Sequence, residues 1–306
     1  MVPPLRRPAP GNPEVQRDLV IRLYQRGRDV PCGRLAVMAG GLRGADKDDA
    51  LARADVDRGR YLTVSIDGVL AEMAARGLIP PVAGLSPLEA ADDRVHAEAQ
   101  YLAKRVGLLA LTDARNLILD ISLASRRAAE SWMYALRFAG YAVTAVFADI
   151  DIDEAVRRSE SAHRHGEEEY RRGRGYGGRR IPAEAIRALA GPAAAEARNR
   201  IKWASGARAA AGGADRPDGG FPGSAVTAML ASYRAGRLTL EDLGLEFRAR
   251  RWPVVPAVWP PDMEQARAAL DDPEPYVPGS FDDVVLAYDL GQLSDQEFEF
   301  LTGAAG

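Results

Sequence analysis

Four short apolar runs, at residues 35–39, 61–66, 116–120 and 141–148, are separated by longer stretches whose apolar positions recur at helical spacing. That alternation predicts four strands joined through helices, and so an α/β fold with a parallel sheet flanked by helices on both faces. Local signals delimit the helices. Asn12 is placed to cap the first, with Pro13 at its first position and Leu19, Val20, Leu23 and Tyr24 as its apolar stripe. A short helix is expected over 47–54, and the segment 70–84 holds an amphipathic helix and a Pro80-Pro81 turn. A long helix over 87–112 carries His96, Glu98, Tyr101, Lys104 and Arg105. Further helices are expected over 125–139, over 153–165 and from near Pro182. Residues 167–182, rich in glycine and arginine, read either as a mobile lid or as a solvated charged loop.

The pattern changes after residue 205. Residues 206–223 turn to Ala, Gly, Asp and Pro, the composition of a linker. In the helical module expected over 224–306, Met229-Leu-x-x-Tyr233-x-x-Gly236-x-Leu238-Thr239-x-x-Asp242-Leu243 recurs as Val284-Val-x-x-Tyr288-x-x-Gly291-x-Leu293-Ser294-x-x-Glu297-Phe298. In each copy an apolar helix ends at the glycine, and a hydroxyl residue with an acid three positions on caps the next helix. Two helical hairpins are therefore expected, docked together on the rest of the chain or on a partner. Between them runs the proline-rich stretch 252–261, with Trp252 and Trp259. These two, with Tyr276 and Phe281, read as core residues or as interface anchors. Residues 1–12 are proline-rich and expected to be flexible, leaving 13–205 as the main domain.

Composition narrows the classes. With a net charge of −3 and a pI near 5.8, the chain has no global basic field to argue for nucleic acid. Cys32 is the only cysteine, which excludes an intramolecular disulfide framework and fits a reducing compartment. No apolar run approaches the ~20 residues of a membrane span, and the N-terminus lacks the apolar core of a secretory signal, so no membrane association and a cytoplasmic location are expected. Three histidines without cysteine partners show no zinc spacing, and His96 reads as a packed or hydrogen-bonded histidine.

The segment after the first strand carries the candidate chemistry. A phosphate-binding loop follows a buried strand and runs G-x-x-x-x-G-K-[ST] into a helix. Here Gly41 stands as the first glycine and Lys47 as the lysine. Asp46 takes the place of the second glycine, and Asp48 that of the Ser/Thr that would ligate Mg²⁺. A carboxylate about 4 Å from a phosphate, at an effective dielectric near 20, costs on the order of 4 kcal/mol per pair of unit charges. Lys47 offsets part of this, and Asp48 retains oxygens for a metal ion. An ordinary charged strand-to-helix loop is the alternative. Asp67 and Asp120, each at the C-terminal end of an expected strand, stand where ligands bind in open α/β sheets.

Taken in order, residues 34–205 resemble the zeta toxin family of P-loop kinases. The resemblance rests on Ala39-Gly-Gly-x-x-Gly44-Ala-x-Lys47, on Asp67, and on His96-x-Glu98-x-x-Tyr101-Leu-Ala-Lys-Arg105. It continues with Asn116-Leu-Ile-Leu-Asp120-x-Ser122-Leu, Gly140-Tyr-x-Val-Thr-Ala-Val-Phe147 and Gly177-Gly-Arg-Arg-Ile-Pro182. It implies a P-loop kinase-like sheet and ATP- or GTP-dependent phosphorylation of a sugar nucleotide, UDP-N-acetylglucosamine, with Mg²⁺. Many members are held by an antitoxin, so a partner on the N-terminal helix or the C-terminal module is implied. By the same resemblance Asp67 is the general base, and Gly41, Gly44, Lys47 and Asp48 form the nucleotide site. Arg158 and Arg179 stabilise the transferring group, while Glu98, Asp120 and Ser122 face the sugar nucleotide. Ile121 and Gly68-Val69-Leu70 depart from the family pattern, as do Asp46 and Asp48. Two functions follow: a sugar-nucleotide phosphotransferase, or an inactive pseudokinase that binds or assembles through its C-terminal module.

Overall fold

The computed structural model describes residues 12–91, 93–122, 132–133, 135–136, 139–190, 224–253, 277 and 279–305. The expectations for residues 1–11, most of the helix over 125–139, residues 191–223, and the stretch with Trp259 and Tyr276 lie outside them.

Four parallel strands form one sheet in the order β2-β3-β1-β4: β1 (Leu35–Gly41), β2 (Leu62–Val64), β3 (Leu117–Ile121) and β4 (Ala142–Ala148). Ten α-helices accompany them among the described residues. Side chains along β1 alternate between two apolar clusters: Ala36 and Met38 join one, and Val37 and Ala39 the other. Both faces of the central strand are thus dry, as a parallel sheet requires. On one face lie α1 (Pro13–Gln25), α3 (Ile66–Ala75) and α4 (Asp93–Thr112). Ala50 and Leu51 of α2 (Lys47–Arg53) lie on the other. Asn116, buried, ties the entrance of β1 to β3 by accepting from the N–H groups of Gly33 and Leu35, both at 3.1 Å.

Several boundaries differ from expectation, each for a local reason. The second strand covers only three residues, because the Ser65 hydroxyl accepts from Gly68 N–H at 3.1 Å and starts α3 there. Asp67 therefore sits in the first turn of α3 rather than closing the strand. The long helix α4 begins at Asp93, not at 87. Next, α5 (Ile152–Arg171) runs past residue 165 and absorbs the start of the expected loop. Its inward face continues through Val156, Ser159, His163 and Glu167 at helical spacing. A short α6 (Ala183–Leu189) follows the loop.

The repeat folds as two hairpins, α7 (Ala225–Arg234) with α8 (Leu240–Ala249), and α9 (Asp282–Asp289) with α10 (Asp295–Ala305). Each turn passes through a glycine with φ of +69°, Gly236 or Gly291. Thr239 and Asp242 exchange capping hydrogen bonds, as do Ser294 and Glu297. Buried residues of the hairpins share one cluster with α1, α3, α4 and the sheet. Trp252 packs edge-on against Phe247 and Phe281, at centroid distances of 5.0 and 5.6 Å, which assigns Trp252 and Phe281 to the core.

Charge also crosses this junction. Lys104 of α4 donates to Asp282 at 2.8 Å, and Arg105 binds Asp289 through two nitrogens, Nε at 2.8 Å. Both members of the Arg105–Asp289 pair are fully buried. A buried pair adds little net stability, because desolvation offsets its attraction, but removing one partner strands the other. Arg105→Leu should destabilise the fold by about 3–5 kcal/mol in a denaturant titration, and Arg105→Leu with Asp289→Leu by clearly less. Equal losses for the single and double variants would contradict this account of the junction.

Candidate functional site

The loop between β1 and α2 leaves the sheet at Gly41, which pairs in register with Ala148 of β4. A Cβ on Gly44 (φ +87°) would lie 2.4 Å from the carbonyl oxygen of Ala155, so glycine is required there to seat the loop against α5. Asp46 is the N-cap of α2, its carboxylate accepting from Asp49 N–H at 2.9 Å. Such a cap contributes about 1 kcal/mol, and it places negative charge of the chain's own at the helix end where a phosphate would otherwise sit. Lys47 donates to Asp120 on β3 at 2.5 Å. Asp48 turns outward to Arg58 at 2.5 Å and is largely exposed. One exposed carboxylate already paired with an arginine does not fit the role of ligand to a phosphate-bound Mg²⁺. Among the described residues no three His, Cys, Asp or Glu side chains converge as a metal site.

Beside this loop the structure assembles a second cluster. Asp67 accepts from Arg43 on one oxygen and from Arg179 on the other, the latter at 3.2 Å. Arg179 also donates to Nδ1 of His96 at 3.1 Å, and both Arg179 and His96 are mostly buried. Arg43 thus reaches toward α3 from one end of the loop while Lys47 reaches β3 from the other. Arg43, Lys47 and Arg179 thus meet Asp67 and Asp120 at the C-terminal side of the sheet. Ser122, just past β3, is buried.

Glu98 and Arg158 do not join this cluster. Successive helical residues are 100° apart, so Glu98 lies about 200° round α4 from His96. It accepts from Gln16 of α1 at 2.7 Å. Arg158 is half-exposed on α5 and pairs with Glu154 at 2.6 Å. Arg43 and His96 are members that the sequence reading did not assign; nothing but its charge marked Arg43.

No protein-family model, curated protein or solved structure matches the chain. A cleft of about 290 Å³ also opens along β2, but it is walled mainly by apolar residues such as Leu23, Val69 and Val106 and includes none of the charged cluster.

Arg179 is presented by the glycine-rich loop, which is fastened rather than loose. Glu167 of α5 accepts from Ser86 Oγ and from Gly178 N–H, the latter at 2.9 Å. Burial pushes the Glu167 carboxyl up, but these two hydrogen bonds and the charges of His163 and Arg171 outweigh it and hold the carboxyl below its usual range. A carboxyl lowered on folding contributes stability above its unfolded pKa, and that contribution is lost as pH falls through the folded value. Acid unfolding should therefore be less steep below pH ~4.5 in Glu167→Gln than in the unmodified protein. Coincident acid limbs in a pH series of thermal melts would show that Glu167 is not linked to folding.

Proposed function

We propose that this chain is a zeta-toxin-like protein that binds an anionic ligand of the sugar-nucleotide class, such as UDP-N-acetylglucosamine, without transferring a phosphoryl group. The observation that carries the proposal is the Asp46 cap: at the helix end that would receive nucleotide phosphates, the Asp49 N–H is already taken by a carboxylate of the chain itself. The Lys47–Asp120 and Asp48–Arg58 pairs support it from the same loop. A ligand phosphate entering there would displace Asp46 and meet Asp48 and Asp49 in the same turn. The neighbouring cluster places the Arg43 and Arg179 guanidinium groups and the His96 imidazole at the same end of the sheet, groups that a pyrophosphate or another dianion would recruit in exchange for Asp67. The apolar stripe of α1 and the inward faces of the C-terminal hairpins are buried in one shared core, although Leu245, Leu290 and Phe300 of the hairpins remain exposed.

One observation favours the second reading, ATP- or GTP-dependent phosphorylation of the same sugar nucleotide. Arg179 reaches Asp67, and these two residues match the family's phosphoryl-stabilising arginine and general base.

Calorimetric titration separates the readings. The unmodified protein should bind UDP-N-acetylglucosamine and show no saturable heat with Mg²⁺-ATP or Mg²⁺-GTP. Asp46→Gly with Asp48→Ser should tighten Mg²⁺-ATP binding at least about tenfold, since each removed like-charge contact is worth more than the ~1.4 kcal/mol of one decade. A phosphorylated sugar nucleotide formed by the unmodified protein, seen by phosphorus NMR, would replace the first reading with the second.

A further inference from the structure

We propose that Glu167 and His163 are positioning residues of the crevice, fixing the Gly177-Gly178 turn so that Arg179 stands against Asp67 and His96 before any ligand arrives. The inference rests on the crevice reading above, but its geometry stands apart from any ligand.

The two peptide groups flanking the Gly178 Cα are each bonded from α5. Glu167 takes the Gly178 N–H at 2.9 Å, and His163 Nδ1 lies 2.8 Å from the Gly178 carbonyl oxygen. A carbonyl only accepts, so Nδ1 carries the proton. His163 Nε2 then faces Glu89 at 3.8 Å. The preceding residue is held as well: a Cβ on Gly177 (φ +96°) would lie 1.9 Å from Ser86 Oγ, the hydroxyl that donates to Glu167. A Cβ on Gly178 would come within 2.3 Å of the His163 carbonyl oxygen. The turn lies flat on the helix because neither residue has a side chain. A further tie comes from the other side, where Leu88 N–H donates to the Tyr176 carbonyl at 3.0 Å.

Arg179 is the next residue in the chain. Its guanidinium is almost fully buried against Asp67 and His96, an arrangement that a mobile segment would not hold against the entropy of a long side chain. The glycines therefore serve close packing rather than mobility. The arginine-rich stretch is preformed at the crevice, and two of its exposed cations pair locally: Arg172 and Arg174 bind Glu169 at 2.7 and 2.8 Å. A preorganised donor costs less ordering on binding than one that closes over its ligand.

Two measurements on the full chain test this. The first needs no ligand: amide exchange at Gly178, together with the Arg179 Nε–H signal and its proximity to His96 by NMR. Glu167→Ala should speed Gly178 exchange at least about tenfold and abolish the Arg179–His96 contact, while amides of the sheet keep their protection. Glu167→Gln, which retains an acceptor oxygen, should preserve both signals. His163→Ala provides a second variant should Glu167→Ala not fold, with the same expected loss at Arg179. Arg179 unmoved in a folded Glu167→Ala or His163→Ala variant overturns the proposal.

The second measurement is a double-mutant cycle on UDP-N-acetylglucosamine affinity. Glu167→Ala and Arg179→Ala should each weaken binding about tenfold or more, and the double variant no further than Arg179→Ala alone. Additive losses would show that Glu167 acts by another route and overturn the positioning role. An unmodified protein that does not bind this probe defeats the ligand reading alone, and the exchange measurement then decides the clamp.

Discussion

The central strand β1, with a neighbour on each side and an apolar cluster on each face, carries no polar side chain along its length. β1 is buried on both faces and hydrogen-bonded to β3 and β4 at both edges, so its polar chemistry is displaced to where the chain leaves it. The loop after Gly41 carries that burden. One end is pinned through Arg43 to Asp67, the other through Lys47 to Asp120, and the middle is pressed on α5 at Gly44. The loop's two cations are thus committed to carboxylates of the chain, and the Asp49 N–H of the following helix is taken by Asp46. Asp46 completes the substitution, since a carboxylate on the first turn of α2 supplies by covalent attachment the negative charge that a nucleotide would bring.

The same economy of partners extends along α4. Its first turns give His96 to the crevice, its outer side gives Glu98 to Gln16, and its middle gives Lys104 and Arg105 to the C-terminal hairpins. Arg105 Nη1 also donates to the side-chain amide oxygen of Gln16 at 3.4 Å, so α1, α4 and α9 meet in one polar network under an apolar shell. Burial of Tyr101 beside these cations pushes its hydroxyl up to about 12, with desolvation the larger effect and the cations opposing it. Such a network specifies one arrangement of helices more than it stabilises it, because misdocking by one helical turn would leave charges buried and alone. In consequence the crevice and the C-terminal module share a rigid element of 20 residues.

How legible this was in the sequence depended on distance along the chain. The strands at 35–39, 116–120 and 141–148, the Asn12 cap, the two hairpins and their capping boxes were readable because each is written within a few residues. The ends of β2, α4 and α5 were not, since a cap such as Ser65 or a buried acid such as Glu167 overrides the apolar run that marks an element. At the site, Asp67, Lys47, Asp120 and Arg179 were singled out by position and do gather at one end of the sheet. Glu98 was not separable from His96 in a motif, although two residues on a helix point in nearly opposite directions. Nothing near Lys104 and Arg105 in the sequence marks them as buried, because their partners lie 178 and 184 positions away. The one local hint was acid at Asp282, Asp283 and Asp289 at the two ends of a helix whose middle, Val284 to Tyr288, is buried and apolar apart from the Tyr288 hydroxyl.

The proposed function requires that Asp46, which caps the Asp49 N–H at the start of α2, keeps a nucleotide phosphate out. The most direct measurement is the shift in melting temperature of the unmodified protein with saturating Mg²⁺-ATP, set beside UDP-N-acetylglucosamine, since a ligand that binds only the folded state raises it by mass action. The account predicts no shift with Mg²⁺-ATP and a saturable rise with the sugar nucleotide. A saturable rise with Mg²⁺-ATP alone would contradict it, because the Asp46 cap would then be giving way to phosphate.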